Sequence, residues 1–454
     1  MKKSWLILTV LSTLVALLGC GGKGAVGANG GGQNPSPQEW TWVSGSDVTN
    51  QLGTYGTRGT AAMSNVPGGR GGTADWTDAS GNLWLFGGYG LASGSTGFLN
   101  DLWKYSSGEW TWVGGSNVAN GTGSYGTQGR ASSGNIPGAR NVPMSWTDSA
   151  GNFWLFAGFG VDSAGTTGQL NDLWKYSGGE WTWMGGSKLV YQAGTYGTLG
   201  MAAPANIPGP RNGSMTWTDA AGNLWLFGGA NCTTNGECEY LSDLWKFNGS
   251  EWTWMGGFNL SDQYGTYGTQ GAAAPSNGPG ARFFGLSWTD ANGNFWLFGG
   301  YGFAENSIGD LTDLWEFSEG EWKWMGGPNA AGQSGTYGTQ GTAAPGNNPG
   351  PRYGAVSWTD AEGSFWLFGG SGMVDGNSGS LNDLWKYSGG EWTWMGGPEA
   401  VNQNGVYGTQ GTAAAGNTPG ARNFGIGLTD ANGNLWLFGG NDNQGNYLND
   451  LWTY

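Results

Sequence analysis

The motif Glu-Trp-Thr/Lys-Trp begins at Glu39, Glu109, Glu180, Glu251, Glu321 and Glu391, at intervals of 70, 71, 71, 70 and 70 residues. A fixed period of this kind marks an array of like supersecondary units that bury their apolar faces against one another. Each unit carries the same landmarks in the same order: an Arg, an apolar run ending in Gly-Gly, an Asp-Leu-Trp motif, then the Glu-Trp motif. The second copy alone replaces the doublet, with Ala157-Gly158.

The unit reads as four short strands. In the first copy these are Arg70 to Trp76, Leu83 to Phe86, Asp101 to Tyr105 and Glu109 to Val113, separated by turn chemistry such as Ala79-Ser80-Gly81-Asn82. Aromatic-rich runs bounded by Gly, Asn and Ser are strands of antiparallel hairpins. The Ser106-Ser107-Gly108 turn predicts Tyr105 opposite Trp110 and Trp103 opposite Trp112, which places indoles as cross-strand pairs. One such sheet cannot hide both faces, so six are expected to stack around an axis. The last copy stops at Tyr454 after its third strand, while an unmatched fourth strand stands at 39–43. The chain is therefore predicted to be all-β, a six-bladed β-propeller whose sixth blade is closed by the N-terminal strand 39–43, leaving no open edge.

Lys and Arg number 17 against 32 Asp and Glu, for a formal net charge of −15, with no basic run. Phosphate binding needs clustered cations, so nucleic acid is not an expected partner. The chain has no His, and its only Cys are Cys20, Cys232 and Cys238. Neither a metal site nor a cofactor is expected from so few ligands. Lys2 and Lys3 precede an apolar stretch from Trp5 to Leu18, too short for an ordinary spanning helix. Leu17-Leu18-Gly19-Cys20 resembles a bacterial lipobox. That resemblance implies cleavage before Cys20 and lipidation of its thiol. Residues 1–20 are then a lipoprotein signal peptide, 21–38 a Gly-rich flexible tether, and 39–454 the propeller. The expectation is an exported monomer, lipid-anchored to the cell envelope at the outer membrane or cell surface. In that setting Cys232 and Cys238, in one short loop, read as a disulfide.

The unit also resembles the kelch repeat. The carriers are Gly87-Gly88, Tyr105 and Trp110 in the first copy, with the doublet again at Gly228-Gly229, Gly299-Gly300, Gly369-Gly370 and Gly439-Gly440. The resemblance spans 39–454 and implies a propeller of the galactose-oxidase-like kind. The copper chemistry of that enzyme does not carry over, because its His ligands have no counterpart here. Kelch units are nearer 50 residues. The excess lies in a 26-residue connection from each fourth strand to the next Arg, such as Ser44–Gly69.

That connection and the second-to-third link leave the sheet at the same end, so this end is the expected ligand face. The Tyr repeated in each connection, beginning with Tyr55, reads as a pin between loop and sheet. The Arg70 and Asp101 sets read as scaffold pairs, since a catalytic site is not expected six times over. Asp290, Asn292 and Asn294 read as turn chemistry. Residues that break the symmetry are the binding candidates: Tyr191, Tyr264, Phe258, Phe98, Phe303, Glu305, Asp162 and Asp375, together with the Cys232–Cys238 loop. The expected function is a non-enzymatic binding module for a protein or glycan. The alternatives are a carboxylate-dependent enzyme acting on carbohydrate through Asp162, Glu305 and Asp375, or a passive envelope component.

Overall fold

The computed structural model describes residues 39–233 and 235–454; the expected signal peptide, the expected tether and Cys20 lie outside them. The described residues form no helix. They build repeated four-stranded antiparallel meanders, consistent with a propeller-like fold. In the first repeat the strands are Ala74–Thr77, Leu83–Phe86, Leu102–Ser106 and Glu109–Gly114. The sheet that contains Ile426–Thr429, Leu435–Asn441 and Tyr447–Thr453 takes its fourth strand, Thr41–Ser44, from the other end of the chain. Thr41 lies opposite Thr453 and Trp42 opposite Trp452.

The cross-strand register is the one read from the sequence. Trp103 opposes Trp112 and Tyr105 opposes Trp110, and the pattern repeats at Trp174–Trp183 and Tyr176–Trp181. Rings from one sheet then bury against the next. Trp76 stacks on Phe153 at 3.7 Å, Trp217 on Phe295 at 5.3 Å and Trp288 on Phe365 at 4.9 Å. Each hydrophobic cluster unites two sheets. One joins Leu83, Trp103 and Trp110 of the first to Ile426, Phe438 and Leu451 of the last. Full burial of an aromatic side chain contributes roughly 1.5–3 kcal/mol, so these contacts dominate the favourable side of folding.

The Gly doublet has a geometric cause. Both of its residues take positive φ, 70° and 97° at Gly87 and Gly88, and the ladder between second and third strands shifts register there in five of the six sheets. Left-handed backbone suits glycine because a Cβ would crowd the following carbonyl. Ala157 holds the same conformation at φ 56°. The shift divides each repeat into a lower half of packed indoles and an upper half beyond the doublet.

Above the doublet sits a buried polar network, repeated throughout. Arg211 is fully buried and donates Nη1 and Nη2 to the two oxygens of Asp243, at 2.7 and 2.8 Å. Tyr196 Oη and Trp245 Nε1 both donate to Asp243 Oδ2 at 2.7 Å. Burial by itself would raise the Asp243 carboxyl; the Arg211 charge and these donors outweigh it and hold the group below its ordinary range. The same four partners recur as Tyr55, Arg70, Asp101 and Trp103, and in every other copy. The loop tyrosines and the Arg–Asp pairs are thus scaffold.

The 26-residue connections differ from the expectation of a decorated end face. Each begins and ends at that end, but its middle runs beside the outer strand of the following sheet. Gly59 N–H donates to Trp112 O, Ala62 N–H to Trp110 O, and Asn65 Nδ2 to Trp110 O. The equivalent loop before the last sheet covers the N-terminal strand, with Gly411 N–H on Trp42 O and Asn417 Nδ2 on Trp40 O. These loops occupy edges that would otherwise present unpaired backbone. Removing residues 39–44 deletes buried Trp40, half-buried Trp42 and the partner of this loop. We expect the truncated chain to lose at least about 3–5 kcal/mol, the cost of one core Trp; equal urea midpoints for the two chains would contradict the role given to this strand.

Candidate functional site

The upper halves of the repeats carry the variation. Beyond the doublet, three residues of each sheet oppose one another across the ladder and so share a face. The rows are Gly71–Tyr89–Phe98, Asn141–Phe159–Gln169, Asn212–Ala230–Tyr240, Phe283–Tyr301–Asp310, Tyr353–Ser371–Ser380 and Asn423–Asn441–Tyr447. The neighbouring Arg and Gly are constant, whereas these positions change from copy to copy. Folding therefore does not dictate them.

Rings from adjacent rows meet. Tyr240 stacks on Phe283 at 5.0 Å with an interplanar angle of 13°. Tyr301 meets Tyr240, Phe283 and Tyr353 edge-on, at 5.8, 5.8 and 6.2 Å. Phe284 continues the chain to Phe424 at 4.8 Å and to Tyr353 at 6.4 Å. A second group joins Tyr447, Tyr89, Phe98 and Phe159. Between the groups lie amides. Asn141 Oδ1, Gln169 Oε1 and Asn212 Oδ1 are buried and lack a donor among the described residues, a state that buried polar atoms seldom keep without water or ligand.

Next to these rows, a run of five backbone hydrogen bonds crosses from sheet to sheet, with no such bond between Val142 and Gly213. Val142 N–H donates to Gly72 O, Phe284 to Gly213 O, Gly354 to Phe284 O, Phe424 to Gly354 O and Gly72 to Phe424 O. All six residues have positive φ. Glycine alternates with a bulky side chain, because a Cβ at Gly213 or Gly354 would strike the ring of Phe284 or Phe424. Phe284, Phe424 and β-branched Val142 adopt this backbone at a cost of roughly 1–2 kcal/mol each. Strain of this kind gathers at functional positions.

Beyond this run lies a polar cavity of about 400 Å³, lined by residues of all six repeats. Asp75, Ser145, Thr216, Ser287, Ser357 and Gly427 hold equivalent positions around it, so Asp75 is the one carboxylate. The carboxyl has no hydrogen-bond partner among the described residues, and burial pushes it up to about 7. It is half-buried, since the cavity itself reaches solvent.

The candidates read from the sequence fall into two groups. Phe98 belongs to the second aromatic group, and Phe303 meets Tyr240 at 6.1 Å and Tyr264 at 5.1 Å, extending the first. The others stand apart from these rings. Tyr191, at φ 57°, fills a left-handed position held elsewhere by Asn50, Asn120, Asp262, Gly332 and Asn402, and its N–H binds the Gln169 carbonyl. Phe258 is exposed. Asp162 is buried and commits both oxygens to the N–H groups of Ala164, Thr166 and Val190. Glu305 accepts from Asn329 Nδ2, and Asp375 sits exposed in a tight turn. Cys232 and Cys238 form the expected disulfide. Asp290 accepts from the N–H groups of Asn292 and Asn294, as turn chemistry requires. The sequence reading missed the rows themselves. Their signal was variation at the positions touching the invariant Arg and Gly.

The site is thus an aromatic and amide patch on an all-β repeat scaffold. No family model matches the chain, and no curated protein does. Among solved structures, one described as "Structure of YjhT" is similar, with a TM-score of 0.49 and 15% identity over 85% of this chain and 95% of its own.

Ionising Asp75 is harder in the folded chain than in the unfolded one. The folded state therefore holds the proton longer, and stability falls as pH rises from about 4 through about 7. Asp75→Asn should raise stability above pH 7 by about 2 kcal/mol, half the full linkage value because solvent reaches the cavity. That gain should vanish near pH 4 in urea titrations; a gain independent of pH would contradict it.

Proposed function

We propose that the chain is a closed six-bladed propeller of the kelch type that binds a glycan, without catalysis, through the aromatic and amide rows beyond its Gly doublets. The contiguous, symmetry-breaking ring contacts from Tyr240 to Phe424 carry this reading. Sugar C–H faces pack on aromatic faces, while amide side chains serve hydroxyl groups. The cyclic order of inter-sheet clusters and the pairing of 41–44 with 447–453 support the closed wheel. The enzyme reading built on Asp162, Glu305 and Asp375 is weakened, because Asp162 and Glu305 are already hydrogen-bonded within the scaffold.

A glycan-array survey of the full chain, followed by titration calorimetry on the best oligosaccharide, tests the proposal. Tyr240→Ala and Tyr353→Ala should each weaken binding about tenfold, equivalent to ~1.4 kcal/mol, with unchanged melting. Glycan binding that survives both substitutions would move the site elsewhere. Capture of a protein instead would favour the other partner class.

The same proposal places the propeller at the cell envelope, held by lipid on Cys20. One acyl chain anchors marginally and two or more anchor stably. Fatty-acid labelling of the expressed protein should be lost in Cys20→Ser; label retained in that variant would remove the anchor.

A further inference from the structure

One corner of the patch differs chemically from the rest. Tyr301 is the hub of the first ring group, touching Tyr240, Phe283 and Tyr353, each nearly perpendicular to it at 77°, 76° and 84°. Its direct neighbour across the ladder is Asp310. The equivalent positions in the other repeats hold Phe98, Gln169, Tyr240, Ser380 and Tyr447, so Asp310 is the single carboxylate among the eighteen row residues. The fold does not require it there.

Asp310 is also unspent. Asp162, by contrast, is committed to three backbone N–H groups, and Asp313 to Arg282, Tyr267 and Trp315; Asp75 in the cavity is a second carboxylate without a partner among the described residues. The Asp310 side chain accepts no hydrogen bond and meets no cation among the described residues. The nearby Arg282 and Arg352 are bound to Asp313 and Asp383. Beside it is the Tyr301 phenol, its partner across the ladder, and the strand that carries it packs against Arg352–Tyr353 at the start of the next sheet. Burial pushes its carboxyl up to about 6.

A carboxylate without a partner beside several aromatic rings is complementary to an ammonium group. The rings present negative faces to the cation and the carboxylate supplies the counter-charge. The net charge of −15 adds attraction for a cation at longer range. We propose that the Asp310–Tyr301 corner receives the free ammonium group of an amino sugar, so the ligand is an oligosaccharide carrying unacetylated amines. This rests on the glycan reading of the patch.

The test is calorimetry of the full chain with two probes of one backbone, β-1,4-linked glucosamine and N-acetylglucosamine hexamers, and with hexalysine as an amine that is not a sugar. The glucosamine hexamer should bind at least tenfold tighter than its acetylated counterpart at pH 7. Its affinity should drop about tenfold by pH 5, where Asp310 is largely protonated. Asp310→Asn should abolish both the preference and the pH dependence without lowering the melting temperature. Tyr301→Leu should weaken the glucosamine hexamer about tenfold. Equal binding of the two hexamers, or a preference intact in Asp310→Asn, overturns the ammonium corner and leaves the glycan reading standing. Binding of hexalysine alone, lost in Asp310→Asn, keeps the corner as an ammonium site and sinks the sugar. No binding of any amine overturns the proposal.

Discussion

The buried Arg–Asp pair with its Tyr and Trp is the interaction on which each repeat depends. Three segments distant in sequence converge on one carboxylate: the long connection through Tyr196, the lead into the first strand through Arg211, and the third strand through Asp243 and Trp245. Buried ion pairs often contribute little net stability, because desolvation offsets their attraction. Their geometry, however, is demanding. A bidentate fork with two further donors is satisfied by one arrangement of loop and strands, and removing one partner would strand a charge in the interior. The network therefore specifies where each connection docks, while the indole clusters between sheets supply most of the favourable energy.

The doublet and its register shift separate two kinds of work. Below it, Trp and Phe repeat almost without change, because each sheet must match its neighbour on both sides. Above it, the rows are free of that constraint. Variation accumulates there, from Gly71 to Phe283 at one position and from Tyr89 to Asn441 at another. The strained Phe284 and Phe424 lie at the boundary. Their equivalents in the alternate repeats are glycine, so the ring of one repeat occupies room left by the glycine of the repeat before it.

Much of the scaffold was legible in the sequence. The period located the sheets, the turn length set Trp103 against Trp112, and the missing last strand pointed to 39–43. The scaffold role of Arg and Asp followed from their presence in every copy. The patch was harder to see. Phe98, Phe303 and Tyr264 stood out because they break the repeat symmetry in the connecting segments. Tyr301, Tyr353 and Asp310 did not, because they lie beside invariant landmarks and pass for ordinary strand residues. Their common face comes from pairing beyond the register shift, and no spacing in the linear chain displays that. Asp75 was hidden similarly, since only the convergence of inner strands reveals it as the lone acid among hydroxyls. The path of the long connections was misjudged, because length by itself does not distinguish a decoration from a strand-like cover.

That path has an evolutionary consequence. The connection preceding a sheet shields that sheet's own outer border, so any span one repeat long brings one sheet's worth of strands together with one guard. A tandem duplication copying this span adds a sheet already protected against sticking to other chains. The sheet that draws its border strand from Thr41–Ser44 follows the same plan, with Gly411 N–H and Asn417 Nδ2 of the preceding connection laid against that strand.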